Sequence, residues 1–389
     1  MYRLVSKLPV LLLLLLSTMA FCTGALAASN RPHIVIDAAS GSVISQNRAN
    51  DRWYPASLTK LMTAYVTLRA ISSGEIQAGS PVRISRAATR QPPSKMGYKR
   101  GVELRVDTAL KIIVIKSAND VSLALAEAVA GTLQNFVLRM NLEAKRLGLT
   151  NTRFANSNGL HNPQQYSSAR DMAVLSTRLL KEFPEYAYLF STVAIKTPTR
   201  THYSYNLLLE RFPGTTGMKT GFVCASGYNL AASVVRNGRT LIAVVLGTSS
   251  QTERAVLTAK LLRQAFQKTG TGSAFLPVLE GAPPKNMRGL LCTEAARAAR
   301  YDPSADNAVI DSPHLLPRKR SGKVLEITTG GVDAPPSDAY LATILTASGS
   351  LVVPTRRPNF DPATGKIRLI AIGSANTGRL PLPTPRPLR

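Results

Sequence analysis

The sequence contains few cysteines, few histidines and few acidic residues, and each shortage excludes a class of protein. Three cysteines and four histidines in 389 residues exclude a disulfide-stapled scaffold and provide no recognisable zinc site. Only 22 acidic side chains stand against 48 lysines and arginines, for a formal net charge of +26. These basic residues are dispersed, and no RNP, helix-turn-helix or finger motif accompanies them. We therefore expect no nucleic-acid partner, no metal and no cofactor.

Residues 1–27 have the layout of a secretory signal peptide. Arg3 and Lys7 precede an apolar run around Leu11–Leu16, and small residues ending in Ala27 follow it. The apolar stretch is shorter than the roughly 18–20 residues that a spanning helix needs. We therefore expect cleavage near Ala27 and a mature protein in the periplasm or cell envelope, with an uncleaved anchor as the alternative.

Residues 28–270 are predicted to form one domain. Strands are predicted near both ends of this range, at Ile34–Asp37, Val43–Ser45, Gly227–Ala232 and Thr240–Leu246. Helical patterns lie between them, at Leu58–Ser72, Thr108–Ala130, Phe136–Leu147 and Ala169–Lys181. This order indicates an α/β (α+β) fold, with a mixed, mainly antiparallel sheet flanked by helices and an inserted helical subdomain.

The composition changes after residue 270. The last 119 residues hold 15 of the 25 prolines, so residues 271–389 are predicted to be a Pro-rich, largely disordered tail. This tail carries 15 lysines or arginines against 9 acidic residues, and such a chain would make weak contacts with an anionic wall or membrane surface. A plain spacer is the alternative.

Cys224 and Cys292 are the two cysteines that remain once the signal peptide is removed. In an exported chain two cysteines often form a disulfide. Two buried, reduced thiols are equally compatible with the sequence.

Ser57 and Lys60 stand three residues apart in Ser57-Leu58-Thr59-Lys60. Apolar residues at helical spacing follow, so Ser57 is predicted to open a helix. Residues i and i+3 share one helix face, which places the Lys60 amine beside the Ser57 hydroxyl. A serine needs an adjacent base to act as a nucleophile. Lys60 serves as that base only when neutral, so burial or a second cation such as Lys219 must lower its pKa.

Ser117 and Asn119 mark a polar break in an apolar, helical stretch. Polar groups at such a break project from a turn between packed helices. Ser117 is a candidate proton shuttle between Lys60 and a leaving group, and the Asn119 amide is a candidate to hold a substrate peptide. Helix capping by either residue is the alternative.

Lys219-Thr220-Gly221 leads into a strand-turn-strand pattern. Gly221 allows a close backbone approach at the wall of a site. Lys219 and Thr220 are candidate ligands for a carboxylate. The backbone N–H groups of Phe222 and Ser57 are expected to form an oxyanion hole with two donors.

With the three motifs in this order, the sequence resembles the serine D-alanyl-D-alanine carboxypeptidases, the low-molecular-mass penicillin-binding proteins of peptidase family S11. Similar blocks lie at residues 54–65, 116–120, 147–154 and 166–173, and at 217–221 together with 227–230. The resemblance implies a β-lactamase/transpeptidase-like fold and an acyl-enzyme on Ser57. It also implies a peptidoglycan stem peptide ending in D-Ala-D-Ala as substrate, and β-lactams as covalent inhibitors.

One departure from the family concerns recognition of the substrate's terminal carboxylate. Many relatives carry an arginine just before an Asn-x-Leu-Leu-like stretch, and here Tyr205 falls near that place. We therefore expect Lys219 and Thr220 to bind the carboxylate, with Arg200 or Arg211 as candidate helpers.

Three other functions remain open at this point. A D,D-endopeptidase would cut cross-links with the same residues. A class A-like β-lactamase needs an additional glutamate in a Glu-x-x-Leu-Asn-like loop, and none of the five glutamates between Asp120 and Lys219 has that context. A wall-binding protein without activity would have lost parts of the three motifs, and all are present.

Overall fold

The computed structural model describes residues 30–268, 280–296, 312–318 and 321–330, and two short strands at 359–360 and 367–368. The predicted signal peptide and most of the predicted tail lie outside the described residues, so these predictions and the boundary at residue 270 stay predictions. The chain divides into two compact units, Met1–Val352 and Val353–Arg389. The second unit is described only by the antiparallel strands β11 (Asn359–Phe360) and β12 (Ile367–Arg368).

A five-stranded antiparallel sheet forms the centre of the first unit, with strands from both ends of the predicted domain. In spatial order its strands are β2 (Val43–Asn47), β1 (His33–Asp37), β9 (Arg239–Thr248), β8 (Gly227–Arg236) and β7 (Thr215–Val223). The hairpin between β8 and β9 turns at Asn237-Gly238, both with positive φ, as the sequence predicts. The main sheet therefore agrees with the prediction of a mainly antiparallel sheet built from distant parts of the chain.

Two small sheets lie beside the main one. Strands β3 (Pro81–Arg83) and β4 (Glu103–Arg105) pair antiparallel. Strands β5 (Ala194–Lys196) and β6 (Thr201–Tyr203) also pair antiparallel, and β10 (Val324–Glu326) adds to β5 in parallel.

The helices lie mostly between β2 and β7 in the chain. They are α1 (Thr59–Ser72), α2 (Arg86–Thr89), α3 (Val106–Ile115), α4 (Asn119–Ala130), α5 (Leu133–Arg146), α6 (Ala169–Glu182), α7 (Tyr188–Ser191), α8 (Leu208–Arg211), α9 (Gln251–Gln267) and α10 (Arg288–Leu291), with 3₁₀ turns at Ala56–Leu58 and Pro184–Tyr186. The range predicted as Thr108–Ala130 is two helices, because Ser117 has a left-handed φ of 63° that no continuous α-helix accepts. No single helix in the described part of the chain is long and apolar enough to cross a membrane, although α4 and α5 reach that length and composition when joined across a bend of 84°.

Strand β1 shows how the sheet separates two hydrophobic cores. Ile34 and Ile36 point into the larger core, among residues of α1, α3, α4 and α6. Val35 points to the opposite face and packs in a smaller core with Leu262 of α9. Successive side chains of a strand alternate between faces, so a strand covered on both faces is apolar throughout.

Three described segments after residue 270 pack on this unit. Gly281 N–H donates to Asn151 Oδ1 at 2.9 Å, and Met287 N–H donates to the Ala225 carbonyl at 3.0 Å. Met287 is 3% exposed and belongs to the larger core, whereas Leu315 is buried in the smaller one. The described parts of the predicted tail therefore contribute side chains to both cores.

Cys224 and Cys292 form a disulfide across 68 residues of sequence. Cys224 follows β7 directly, in the turn that leads into β8, and Cys292 follows α10. The bridge left open by the sequence therefore attaches the segment after residue 280 to the end of β7.

Removing this bridge should destabilise the fold. We expect a Cys224→Ser/Cys292→Ser variant to lose about 2–4 kcal/mol of unfolding free energy, because a cross-link that closes a long loop restricts the unfolded chain. Urea unfolding followed by fluorescence of the single tryptophan, the buried Trp53, measures this loss. Dithiothreitol should weaken the wild-type protein by a similar amount and leave the variant unchanged. Separately alkylated Cys224 and Cys292 peptides in a non-reduced digest would contradict the bridge.

Candidate active site

The three sequence motifs meet around one cavity of about 630 Å³. Ser57 comes from the 3₁₀ turn before α1, Ser117 and Asn119 from the break between α3 and α4, and Thr220, Gly221 and Phe222 from β7. Lys60 and Lys219 lie buried beside it, 0% and 2% exposed. All eight residues that the sequence places in a site are thus brought together.

Backbone contacts position the turn that carries Ser57. Asn229 of β8 donates from Nδ2 to the carbonyls of Tyr54 and Pro55 at 3.0 and 3.2 Å, while its Oδ1 accepts from Gly247 N–H at 2.9 Å. Gly221 of β7 lies so close that a Cβ there would be 3.0 Å from Ser57 N. Ser57 is therefore placed by strands β7 and β8 of the sheet as well as by its own helix.

Two residues next to the reacting groups have left-handed backbones without being glycine. Ala56 has a φ of 48° and Ser117 a φ of 63°. Such conformations cost of order 1–3 kcal/mol each and persist where the surrounding structure imposes them, most often at functional sites. Each turn presents a polar side chain to the cavity, Ser57 in one case and Ser117 in the other.

Lys60 Nζ has three close partners. It lies 3.1 Å from Ser57 Oγ, 2.8 Å from Asn119 Oδ1 and 2.6 Å from the Asn158 carbonyl. The two carbonyl-type oxygens only accept hydrogen bonds, so a neutral amine donates both of its protons to them and receives its third bond from Ser57. The geometry therefore directs the lone pair of neutral Lys60 at the Ser57 hydroxyl.

The environment of Lys60 favours that neutral form. Complete burial is the main reason why its pKa lies well below the usual range, and the charge of Lys219 lowers it further, while Asp120 opposes both effects. Asp120 accepts from the backbone N–H groups of Met96 and Gly97. This carboxylate is thus held by the loop before β4, away from a direct ion pair with Lys60.

Lys219 is influenced by another buried cation, Arg254. Its Nζ donates to the Thr220 carbonyl at 3.1 Å. Burial lowers its pKa most, followed by the charge of Arg254. Arg254, itself 3% exposed, lines the cavity and donates from Nη2 to the Tyr205 carbonyl at 2.8 Å. Burial lowers the pKa of Arg254 to about 10, so it remains protonated at neutral pH.

Arg254 is the site residue that sequence reasoning missed, and the two arginines suggested instead lie elsewhere. Arg211 is committed to the Leu316 carbonyl, 2.7 Å from its Nε, and Arg200 is exposed in the turn before β6. Neither lines the cavity. Arg254 projects from α9, which the sequence analysis did not predict. The sequence does contain a signal for the start of that helix. Ser250 followed by Glu253 is the pattern of an N-cap, and in the structure Ser250 Oγ accepts from Glu253 N–H at 3.0 Å.

The cavity is cationic. Lys95, Lys116 and Arg254 line it, and the described residues of its wall include no aspartate or glutamate. Across the described ranges, no group of three or more His, Cys, Asp or Glu side chains is placed to hold a metal ion. The arrangement suits a serine nucleophile that acts on an anionic substrate.

Comparison with known sequences places this site in a family. The model of the D-alanyl-D-alanine carboxypeptidase family (peptidase S11) matches residues 20–250. D-alanyl-D-alanine carboxypeptidase DacC of Escherichia coli (strain K12) is 38% identical over 250 residues, 61% of each chain. DacF of Bacillus subtilis (strain 168) is 35% identical over 253 residues, 64% of this chain and 65% of its own length. The chain therefore spans less than two thirds of the length of these curated relatives.

Solved structures show the same fold. Penicillin binding protein 5 from Haemophilus influenzae, 34% identical, superposes with a TM-score of 0.59 over 61% of this chain and 71% of its own. Penicillin-binding protein D2 from Listeria monocytogenes in its ampicillin-bound form, 27% identical, gives 0.56 over 61% of this chain and 97% of its own. These similarities confirm the predicted β-lactamase/transpeptidase-like fold.

The position of Ser57 should depend on the absence of a side chain at Gly159. A Cβ at this residue would lie 1.9 Å from the Ala56 carbonyl oxygen, whereas Gly131 has a similar positive φ and open space around it. Both alanine variants carry the cost of a left-handed backbone. We expect Gly159→Ala to lose at least about 2 kcal/mol more unfolding free energy than Gly131→Ala, because the backbone at Ala56 must move. Equal losses in urea unfolding would contradict this close approach.

Proposed function

The chain belongs to the D-alanyl-D-alanine carboxypeptidase family of serine peptidases, and we propose that it removes the terminal D-alanine from peptidoglycan stem peptides through an acyl-enzyme on Ser57. The observation that carries this proposal is the contact of the buried Lys60 amine with Ser57 Oγ at 3.1 Å. The relatives are named carboxypeptidases, which favours this activity over the endopeptidase alternative. The signal-peptide pattern supports export, so we place the substrate in the periplasm or cell envelope.

Acylation begins with neutral Lys60. Its amine takes the Ser57 proton as Oγ attacks the carbonyl carbon of the D-Ala–D-Ala bond. The oxyanion that forms accepts from the backbone N–H groups of Ser57 and Phe222. Gly221, which directly precedes Phe222, packs against Ser57 N, and this contact supports a shared donor site.

Release of D-alanine requires a proton on its nitrogen. Lys60 holds the proton taken from Ser57, and Ser117 lines the cavity beside Asn119, which contacts Lys60. Ser117 relays the proton to the departing amine, and the C–N bond breaks. A water molecule then attacks the ester with Lys60 again as base, which frees the shortened peptide and restores Ser57.

The terminal carboxylate of the substrate binds at Lys219, Thr220 and Arg254. Thr220 and Arg254 line the cavity, and the charge of Arg254 acts on Lys219. Among the described residues Arg254 is buried without an acidic partner, which suits an anionic ligand because the ligand supplies the missing charge. Arg254 takes the place in this chain for which Arg200 and Arg211 were candidates.

β-Lactams are expected to acylate Ser57 and stay bound. The Listeria relative was solved in an ampicillin-bound form, and the two proteins share a fold. A class A-like β-lactamase would need a carboxylate to activate the hydrolytic water, and the described cavity wall has none. Stable labelling by a fluorescent penicillin, rather than its turnover, is the result that this function requires.

Replacing the reacting groups tests the mechanism. Ser57→Ala should abolish both hydrolysis of a D-Ala-D-Ala peptide and covalent penicillin labelling, because the same oxygen forms both bonds. Lys60→Arg should lower both rates more than 100-fold, since arginine stays protonated and cannot accept the serine proton. Intact-mass spectrometry reports the adduct directly. A penicilloyl adduct on the Ser57 variant, or wild-type rates with Lys60→Arg, would refute the assignment.

Arg254 is tested against an arginine on the same helix. Arg254→Gln should reduce kcat/KM for a peptide with a free terminal carboxylate by about tenfold or more, since hydrogen bonds to charged groups contribute about 1.5–3 kcal/mol. It should also erase the preference for that peptide over its C-terminal amide. Arg263→Gln, an exposed position of α9, provides the control and should keep both. An unchanged preference in the Arg254 variant would remove this residue from the carboxylate site.

A further inference from the structure

Lys116 and Tyr205 form a pair at the mouth of the cavity. Lys116 Nζ donates to the Tyr205 hydroxyl at 3.3 Å and lies 5.6 Å from the centre of its ring. Both residues line the cavity, and Tyr205 is 42% exposed. The pair holds an ammonium group at the wall of the cavity, in reach of a bound ligand.

The positive charge of this pair is not neutralised. Within the residues that the structure describes, neither Lys116 nor Lys95, which lines the same cavity, makes an ion pair. His202, on β6, has a pKa lowered first by burial and then by the charges of Lys116 and Arg200. The charge of Lys116 thus acts on the His202 imidazole. A positive charge without an acidic partner among the described residues favours an anion at this end of the cleft.

Lys116 and Tyr205 lie next to the part of the site where the terminal carboxylate is proposed to bind. The Tyr205 carbonyl accepts from Arg254 Nη2 at 2.8 Å, and Arg254 is the proposed anchor of the terminal carboxylate. A ligand group next to Lys116 therefore belongs to the residue that is released rather than to the acyl part. This placement rests on the function proposed above.

From this arrangement we infer that Lys116 and Tyr205 form a second anion subsite, which selects substrates whose leaving residue carries a second carboxylate. The first carboxylate binds at Arg254 and Lys219, and the second reaches the Lys116 ammonium. Two sources offer this chemistry: an acidic D-residue at the end of a stem peptide, and the acidic acceptor stem of a cross-linked peptide. The subsite is partly exposed, and ion pairs in such positions contribute up to about 1 kcal/mol, a factor of about five.

The test compares three peptides that differ only in the last residue. N-acylated peptides ending in D-Ala-D-Ala, D-Ala-D-Glu and D-Ala-D-Gln are hydrolysed by the full-length protein, and release of the last residue is measured. D-Glu and D-Gln have the same shape and differ in charge. We expect kcat/KM for the D-Glu peptide to exceed that for the D-Gln peptide about fivefold, mainly through KM.

Two variants assign the preference to Lys116. Lys116→Met should bring the ratio of D-Glu to D-Gln close to one, and Lys116→Glu should invert it. Lys145→Met, at an exposed lysine of α5 that does not line the cavity, removes the same charge and should keep the wild-type ratio. A ratio within each variant is insensitive to a partial loss of folded protein.

The outcomes separate the inference from the proposed function. Hydrolysis of D-Ala-D-Ala without a D-Glu preference overturns the second subsite alone, as does a preference that survives in Lys116→Met. Failure to hydrolyse any of the three peptides overturns the proposed function itself. When the preference is present, a cross-linked dimer identifies the source: Lys116-dependent cleavage assigns the acceptor stem, and resistance to cleavage assigns a single acidic residue.

Discussion

A lysine with no solvent-exposed surface lies beside the nucleophile, and much of the surrounding structure keeps it there. Removing a charged ammonium from water costs several kcal/mol even after relaxation, so the protein must either pair the charge or remove it. Lys60 has two carbonyl-type acceptors and one hydroxyl around it, and none of them is an anion. Of these three described partners, the Ser57 hydroxyl alone can give a proton to the buried amine.

Contacts outside the site stabilise this arrangement. The turn at Ala56, in a left-handed conformation, is fixed by Asn229 on β8 and by the backbone of Gly221 on β7. Trp53, just before it, donates from its indole to the Ser226 carbonyl at 2.8 Å and packs against Gly247. The strained turn next to the nucleophile is thus supported by the edge strand β7 and by its neighbour β8.

The sequence predicts what depends on local spacing and fails where packing decides. The i, i+3 spacing of Ser57 and Lys60 and the polar break at Ser117 are local, and the structure shows both. Arg254 could not be found in this way. A capping signal at Ser250 predicts a helix. Only the packing of α9 on β8 and β9, however, directs Arg254, the fourth residue of that helix, toward Lys219. The contact of Asn229 with the turn at Pro55 is equally long-range, and so is the choice between a disulfide and two thiols.

The order of the residues along the chain determines when the site becomes complete during synthesis. Ser57 and Lys60 are made early, whereas β7, β8 and Arg254, which complete their surroundings, lie more than 150 residues later. Before those strands arrive, the burial and the Lys219 charge that lower the pKa of Lys60 are incomplete, which favours the protonated amine. A partly made chain therefore lacks the neutral amine that the proposed mechanism requires beside Ser57. In that mechanism Ser57 becomes a nucleophile only once the last strands pair, so completion of the fold is what switches the reaction on.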